Sequence, residues 1–236
     1  MNLNKLRNKT LVFTATYNEA ENLDEFLSKS LKFKDVDVLI IDDNSPDKTS
    51  EIVERHQLDH KNLFLIKRSG KLGLDTAHKE AYEFAYKKNY KNFISLDADL
   101  SHDPSQIPSF IKILETKPFV IGSRYIKGGK NEMKLSRLLL SYLGNRLIKF
   151  VFNIDCNEYT TSFRGFNLSL LNNFEIRNVR SKGYSFFMET IYQIHKSGHS
   201  IKETPIIFKD RKKGVSKIPK IESLRTLKNL LLLKIR

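Results

Sequence analysis

The sequence predicts an α/β fold, a mixed and mainly parallel sheet flanked by helices. Two observations carry the prediction. In the first half of the chain, short apolar runs alternate with segments of helical periodicity, the sign of a parallel sheet covered by helices. Three polar clusters, Tyr17-Asn18-Glu19, Asp42-Asp43-Asn44-Ser45 and Asp97-Ala98-Asp99, each directly follow an apolar run. In open sheets of this kind ligands bind at the carboxyl ends of the strands, so the three clusters are expected along one edge.

Thr10 to Thr16 reads as the first strand, and Leu23, Phe26, Leu27 and Leu31 then recur at helical spacing. Val36 to Ile41 is the second strand. A helix is expected from about Pro46, with Ser45 as its N-cap and proline at its first position. Leu63 to Ile66 is the third strand, Asp75 to Tyr86 the next helix, and Phe93 to Leu96 the fourth strand. The second half is less regular. It shows a Gly128-Gly129 loop, a long helix from about Met133, a polar turn near Thr160, a helix through Met188 and a strand from Ile201 to Phe208. No repeat, low-complexity tract or linker divides the chain, so one domain spanning 1–236 is expected.

A length of 236 residues with 40% apolar content suffices for a single core. The single cysteine, Cys156, rules out an intrachain disulfide and two-cysteine metal spacings, which suits a reducing cytoplasm. The first residues are basic but lack the apolar run and cleavage site of a signal peptide. The longest apolar stretches are broken by Arg146, Lys149 and Lys234, short of the ~20 residues a membrane span needs. The net charge of +14 points to an anionic surface or substrate, but Lys-rich composition by itself does not choose one.

Asp97 and Asp99 flank a small residue at a strand end, where a sharp turn aims both carboxylates at one point. Hard divalent cations are held by a few carboxylates together with phosphate oxygens, as in nucleotide diphosphate sites. Taken alone, this spacing is also what an ordinary turn uses, because aspartate bonds its own backbone there. Asp43 has the same two readings: an acceptor for a nucleobase, or part of a turn.

Seven ordered blocks, TATYNEAENL, VLIIDDNSPDKT, LDADLSHDPSQIP, IGSRY, TSFRGFN, KGYSFFMET and DRKKGVSK, resemble those of dolichyl-phosphate mannose synthases and related polyprenyl-phosphate glycosyltransferases. These are inverting family 2 glycosyltransferases with the GT-A fold, and the resemblance runs from Leu11 to Lys217. It implies a nucleotide-binding group of Ala15, Tyr17, Glu19, Asp43 and Asp97, and a metal group of Asp97, Asp99 and Ser101 holding Mg2+ or Mn2+. The implied catalytic group is Asp99, Arg124, Ser162, Arg164 and Arg211, with Arg124 and Arg211 as phosphate-binding arginines. Glu189 matches a Met-Glu pair of the family, with a salt bridge as its structural alternative.

The sequence also departs from the family. Ala15 replaces a usual proline, Ser101 stands where many prokaryotic relatives carry a glutamine ligand, Glu158 replaces an aspartate, and Thr161 replaces a glycine. A serine hydroxyl is a weaker metal ligand than a glutamine amide.

The implied reaction is inverting transfer of a hexose, mannose from GDP-mannose in the first instance and UDP-glucose type donors behind it, to a polyprenyl phosphate at the cytoplasmic face of a membrane. An acceptor phosphate is already ionised at neutral pH, so electrostatic positioning rather than a strong general base is required. On the helix of about 132–154, Lys134, Arg137, Ser141 and Asn145 fall within roughly an 80° arc. With Arg124 the first three are candidates for the acceptor phosphate, while Leu135, Leu139, Leu143 and Phe150 lie elsewhere, toward lipid or core. Leu138, Ile148 and Phe152 interrupt the polar arc, and a partly buried helix with a solvated basic edge is the alternative reading. The segment of about 221–236 mixes leucines with Arg225, Lys228 and Lys234, as a helix lying on a membrane, docking on a membrane-anchoring subunit or packing at the C-terminus would.

His102 follows the metal motif; the other five histidines show no ligand spacing. Two competing functions remain. A hydroxyl acceptor for a surface polysaccharide would need a catalytic base, and between Gly129 and Asn157 only Glu132 and Asp155 are acidic. A basic, non-catalytic binding subunit would have acidic clusters that repel a polyanion, and no nucleic-acid motif is present.

Overall fold

A computed structural model describes residues 7–210 and 222–235, with side chains for 9–210 and 225–234. Strand β1 (Arg7–Thr16) lies at the centre of the first half. Leu11, Val12 and Phe13 are all buried, which explains a continuous apolar run in place of the alternation of a half-exposed strand. It pairs in parallel with β2 (Val36–Asp42) on one side and β4 (Tyr90–Ser95) on the other, and β3 (Leu63–Lys67) extends the sheet beyond β2. Helices α1 (Ala20–Leu31), α2 (Thr49–Gln57) and α3 (Leu74–Lys87) connect these strands.

After α4 (Ile107–Leu114) and β5 (Phe119–Ser123), the short β6 (Lys130–Asn131) leads into α5 (Leu135–Phe152). Then follow β7 (Arg164–Asn167), α6 (Ser185–Lys196), β8 (Ile201–Pro205), β9 (Ile207–Phe208) and α7 (Glu222–Ile235). The main sheet runs β3-β2-β1-β4-β7-β5-β8, and β6 and β9 form a second, two-stranded sheet. Only β7 is antiparallel to its neighbours β4 and β5. Because the chain runs outward from β1 through β2 to β3 and then crosses to β4 on the other side of β1, the crevice beyond the carboxyl ends of β1 and β4 is the switch point where such sheets bind ligands.

Apolar cores cover both faces of the sheet. Leu23, Phe26, Val53 and Phe110, from α1, α2 and α4, share one with Val12 and Ile94. Ala77, Ala81, Phe187, Ile191 and Leu230, from α3, α6 and α7, share the other with Phe13 and Phe93.

Three expectations are corrected here. Helix α2 starts at Thr49, not near Pro46, because Ser45 donates to Asp42 Oδ1 (2.6 Å) and accepts the Asn18 N–H (3.0 Å) instead of capping. Asp47 takes the Thr49 N–H and the Ala20 N–H. The strand expected over Ile201 to Phe208 is divided, since the Ile206 N–H bonds Ser123 O in the main sheet while Ile206 O accepts Lys130 N beside the second one. Strands β5 and β7 were not expected. The sequence of β7, Arg-Gly-Phe-Asn, carries two polar residues that are nonetheless buried, and a Cβ at Gly165 would sit 2.8 Å from Val120 Cγ1.

Helix α5 falls where the long helix was expected, but only Asn145, Ile148 and Phe152 are buried. Leu135 (79% exposed), Leu139, Leu140, Leu143, Leu147 and Phe150 (84% exposed) point outward. On α7, Leu230 and Leu233 pack inward while Leu227, Leu231 and Leu232 remain exposed. Among the described residues no helix is long and apolar enough to cross a membrane.

Candidate active site

The three polar clusters lie beyond the carboxyl ends of the neighbouring parallel strands β2, β1 and β4, as the alternation of elements requires. Asp42 is structural: it accepts Thr16 Oγ1 (2.7 Å) and the Ser45 N–H (2.9 Å), tying the β1 and β2 turns together. Asn18 and Asn44 both take left-handed backbone angles, which asparagine tolerates, and they turn the chain sharply at these strand ends.

Asp43 is buried against Arg68, whose Nε donates to Oδ1 at 2.5 Å and whose Nη2 also contacts Oδ1. Burial lifts the Asp43 carboxyl above its usual range, with Arg68 pulling the other way. Arg68 is itself held by Thr76 Oγ1 and Gly73 O. Lys71 sets its ammonium 4.7 Å from the centroid of the Tyr17 ring. Arg68 and Lys71 escaped the sequence reading, although Arg68 follows the third strand by the same strand-end rule that found the carboxylates. Glu19 precedes α1, accepts Asn22 Nδ2 (3.0 Å) and donates its N–H to Thr49 Oγ1. Ala15 packs at the core edge, opposite Ile41 of β2.

Beyond β4, Asp97 keeps its side chain 41% exposed and accepts Ser162 Oγ at 2.6 Å. Asp99 is buried, and its Oδ1 accepts both the N–H and the hydroxyl of Ser101 (3.0 and 2.6 Å). The tight turn, with Leu100 at φ +61°, keeps the two carboxylates on one short stretch of chain. His102 is buried behind them. The Asp97 N–H donates to its Nδ1 (3.3 Å), which leaves Nε2 to donate to Thr161 Oγ1 (3.0 Å). Burial holds its imidazole below the usual range, against the pull of Asp97 and Asp99.

Among the described residues no group of three or more His, Cys, Asp or Glu side chains converges on a metal position. The Asp97-Ala98-Asp99 turn fits a metal of another kind: Mg2+ or Mn2+ bound through one or two carboxylates, with substrate phosphates and water completing the shell. Ser101 Oγ donates to Asp99 Oδ1, which keeps the hydroxyl beside that carboxylate.

Arg124, at the end of β5, donates from Nε and Nη2 to Glu158 (2.6 and 2.8 Å) and from Nη2 to Thr160 Oγ1 (3.0 Å). Asp97 is close enough to help hold its charge. The 128–129 turn packs directly on this strand end, since a Cβ at Gly129 would lie 2.6 Å from Ser123 O. Residues 160–162 thus touch both Arg124 and Asp97.

Arg164 is corrected. Its buried guanidinium donates to three backbone carbonyls, Thr161 O (2.7 Å), Phe187 O (2.6 Å) and Tyr159 O (2.8 Å). It braces the 159–162 turn from behind and does not face the carboxylates. The Asn145 end of the α5 stripe is also corrected. Ser141 Oγ accepts the Tyr125 hydroxyl (2.8 Å), and Asn145 is buried with its Oδ1 accepting the Tyr159 N–H (2.7 Å). Lys134 and Arg137 remain exposed, the latter 3.8 Å from Asp210. Glu189 is buried and accepts the Ser181 N–H, and among the described residues it forms no bridge to an arginine. Arg211 lies outside the described residues.

The sequence pattern of glycosyl transferase family 2 matches residues 11–174. The chain is 30% identical over 214 residues to the polyprenol monophosphomannose synthase of Mycolicibacterium smegmatis, covering 89% of this chain and 81% of that one. It is 29% identical over 212 residues to the undecaprenyl-phosphate mannosyltransferase of Micrococcus luteus, covering 89% and 87%. Glucosyl-3-phosphoglycerate synthase from Mycobacterium tuberculosis, solved with Mn2+, uridine diphosphate and phosphoglyceric acid, superposes with a TM-score of 0.68 at 14% identity, over 96% of this chain and 78% of that chain. A mannosyltransferase from Pyrobaculum calidifontis, solved with GDP-Man and Mn2+, gives 0.55 at 18% identity, over 89% of this chain and 59% of that chain. These superpositions establish the GT-A fold.

Proposed function

We propose that this chain, which belongs to glycosyl transferase family 2 and is a glycosyltransferase, transfers a hexose with inversion from a nucleotide diphosphate to a polyprenyl phosphate at the cytoplasmic face of a membrane. Mannose is the first sugar to test, in keeping with the names of the two sequence relatives, and GDP-mannose is the first donor to supply it. The observation that carries the reading is a juxtaposition. The Asp97-Ala98-Asp99 turn and Arg124 are joined through residues 160–162, and Tyr125, next to Arg124, bonds a helix whose outer side is apolar.

In this reading Tyr17, Glu19 and Asp43 line the base and ribose side, with Arg68 holding the Asp43 carboxylate in place. Asp97 and Asp99, with Ser101, hold the divalent cation. When bound, that cation neutralises the departing nucleotide diphosphate. Ser162 fixes the Asp97 carboxylate by a short hydrogen bond. Arg124 and Arg211, assisted by Lys134 and Arg137, orient the acceptor phosphate, whose oxygen is already anionic and attacks the anomeric carbon in line. Glu132 and Asp155 are exposed, and Asp155 is paired with Lys149, so neither has the setting of a base for a hydroxyl acceptor. The exposed leucines of α5 and α7, flanked by Arg137, Arg146 and Lys228, suit peripheral contact with an anionic bilayer.

The test is transfer of radiolabelled sugar from a panel of nucleotide sugars into organic-extractable lipid, with purified protein, polyprenyl phosphate and Mg2+ or Mn2+. Label that disappears with EDTA and with Asp97→Ala supports the reading. Nucleotide binding without lipid label from any donor refutes it.

A further inference from the structure

Glu158 has no role in the reaction just proposed, yet it is the most completely enclosed carboxylate at the site, with 0% exposure. Its Oε2 accepts Arg124 Nε at 2.6 Å. Its Oε1 accepts Arg124 Nη2 (2.8 Å), the Thr160 N–H (3.1 Å) and the Thr160 hydroxyl (2.9 Å). The second Nη2 hydrogen goes to Thr160 Oγ1. One edge of the guanidinium is therefore fully used. The rings of Tyr125 and Phe208 each lie 5.2 Å from its central carbon, limiting how the group can tilt. What remains is Nη1, whose two N–H groups have no hydrogen bond among the described residues.

Four donors on two oxygens leave the Glu158 carboxylate nothing to offer a substrate proton, and no solvent reaches it. It is not placed to act as a base. We propose that Glu158 is a positioning residue that locks Arg124 so that Nη1 alone faces the acceptor phosphate, with Thr160 as the second part of the clamp. An arginine free to rotate would present its donors in many directions; one clamped along Nε and Nη2 presents a fixed pair of N–H groups and loses little freedom on binding. The inference rests on the reading that Arg124 meets the acceptor phosphate.

The test is a double-mutant cycle on Arg124→Gln and Glu158→Gln, read in two ways: calorimetric binding of farnesyl monophosphate to the protein, and steady-state transfer to polyprenyl phosphate. Glu158→Gln should raise the acceptor KM and weaken farnesyl monophosphate by about tenfold, as loss of a charge-assisted clamp does. The donor KM should change by less than about twofold. In the Arg124→Gln background the same substitution should add almost nothing, because groups that act through one another are not additive. An unchanged acceptor KM, or an equal loss in both backgrounds, would overturn the clamp. If Glu158→Gln does not fold, Thr160→Val at a partly exposed position takes its place in the cycle with the same expectations. A wild-type protein that binds nucleotide but not farnesyl monophosphate removes the underlying reading, whereas equal phosphate binding by wild type and Glu158→Gln removes the clamp alone.

Discussion

Replacing Arg164 by methionine removes three hydrogen bonds, of 2.6 to 2.8 Å, from the buried carbonyls of Tyr159, Thr161 and Phe187. Orphaning a buried acceptor costs about 1–3 kcal/mol each. Against this, the substitution removes a buried cation whose desolvation is worth several kcal/mol. Burial already lowers this guanidinium to about 9, so it is still charged at neutral pH. Set against each other, the two effects leave a net loss of about 1–5 kcal/mol, or a fall in Tm of several degrees and up to about 15 °C for a chain of this size. Denaturant unfolding and transfer activity, measured on the same preparation, separate a brace from a catalytic group. Activity per folded molecule should fall by less than about tenfold, because the 159–162 turn still carries Ser162 and Thr160. A variant as stable as wild type but inactive by more than about a hundredfold would refute the bracing role and restore Arg164 to the reaction.

Ser162→Ala deletes the 2.6 Å hydrogen bond to Asp97 and should lower kcat/KM by about tenfold, the scale of one bond to a charged acceptor. Unchanged kinetics would separate Asp97 from that turn. His78, packed between Phe13, Phe186 and Phe187, has its pKa lowered by burial to about 3. The unfolded chain binds this proton near 6.5 and the folded protein does not, so stability is complete above about pH 6.5. It falls by about 1.4 kcal/mol per pH unit from there toward about 3. His78→Phe should remove that share of the slope in acid unfolding curves, and an identical slope would contradict it. Leu143→Ser with Phe150→Ser removes two exposed apolar side chains from α5 and should weaken sedimentation with anionic vesicles by about tenfold or more. Unfolding stability should be unaffected, and vesicle binding equal to wild type would take α5 out of membrane contact.

The order of β1 to β4 and their helices was legible in the sequence because burial on both faces writes uninterrupted apolar runs, and helical spacing separates them. That pattern, with the resemblance to family 2 enzymes, was enough to put Tyr17, Asp43, Asp97 and Asp99 at the strand ends. Strand β7 left no such trace. It is four residues long, and two of them, Arg164 and Asn167, are polar groups that hydrogen bonds make tolerable inside.

Where a side chain points within a motif was decided by the tertiary structure. Ser162 and Arg164 stand two apart in the same Ser-Phe-Arg stretch. Ser162 turns to Asp97, while Arg164 turns inward to carbonyls on its own turn and on α6, which lie near it only once the chain has folded. The stripe on α5 divided for the same reason: Ser141 and Asn145 meet Tyr125 and Tyr159 across the fold. The clamp on Arg124 joins residues 34 apart in the chain. Local sequence sets periodicity and turn chemistry, whereas the partner of a buried polar group is whichever distant group the packing brings within hydrogen-bond reach.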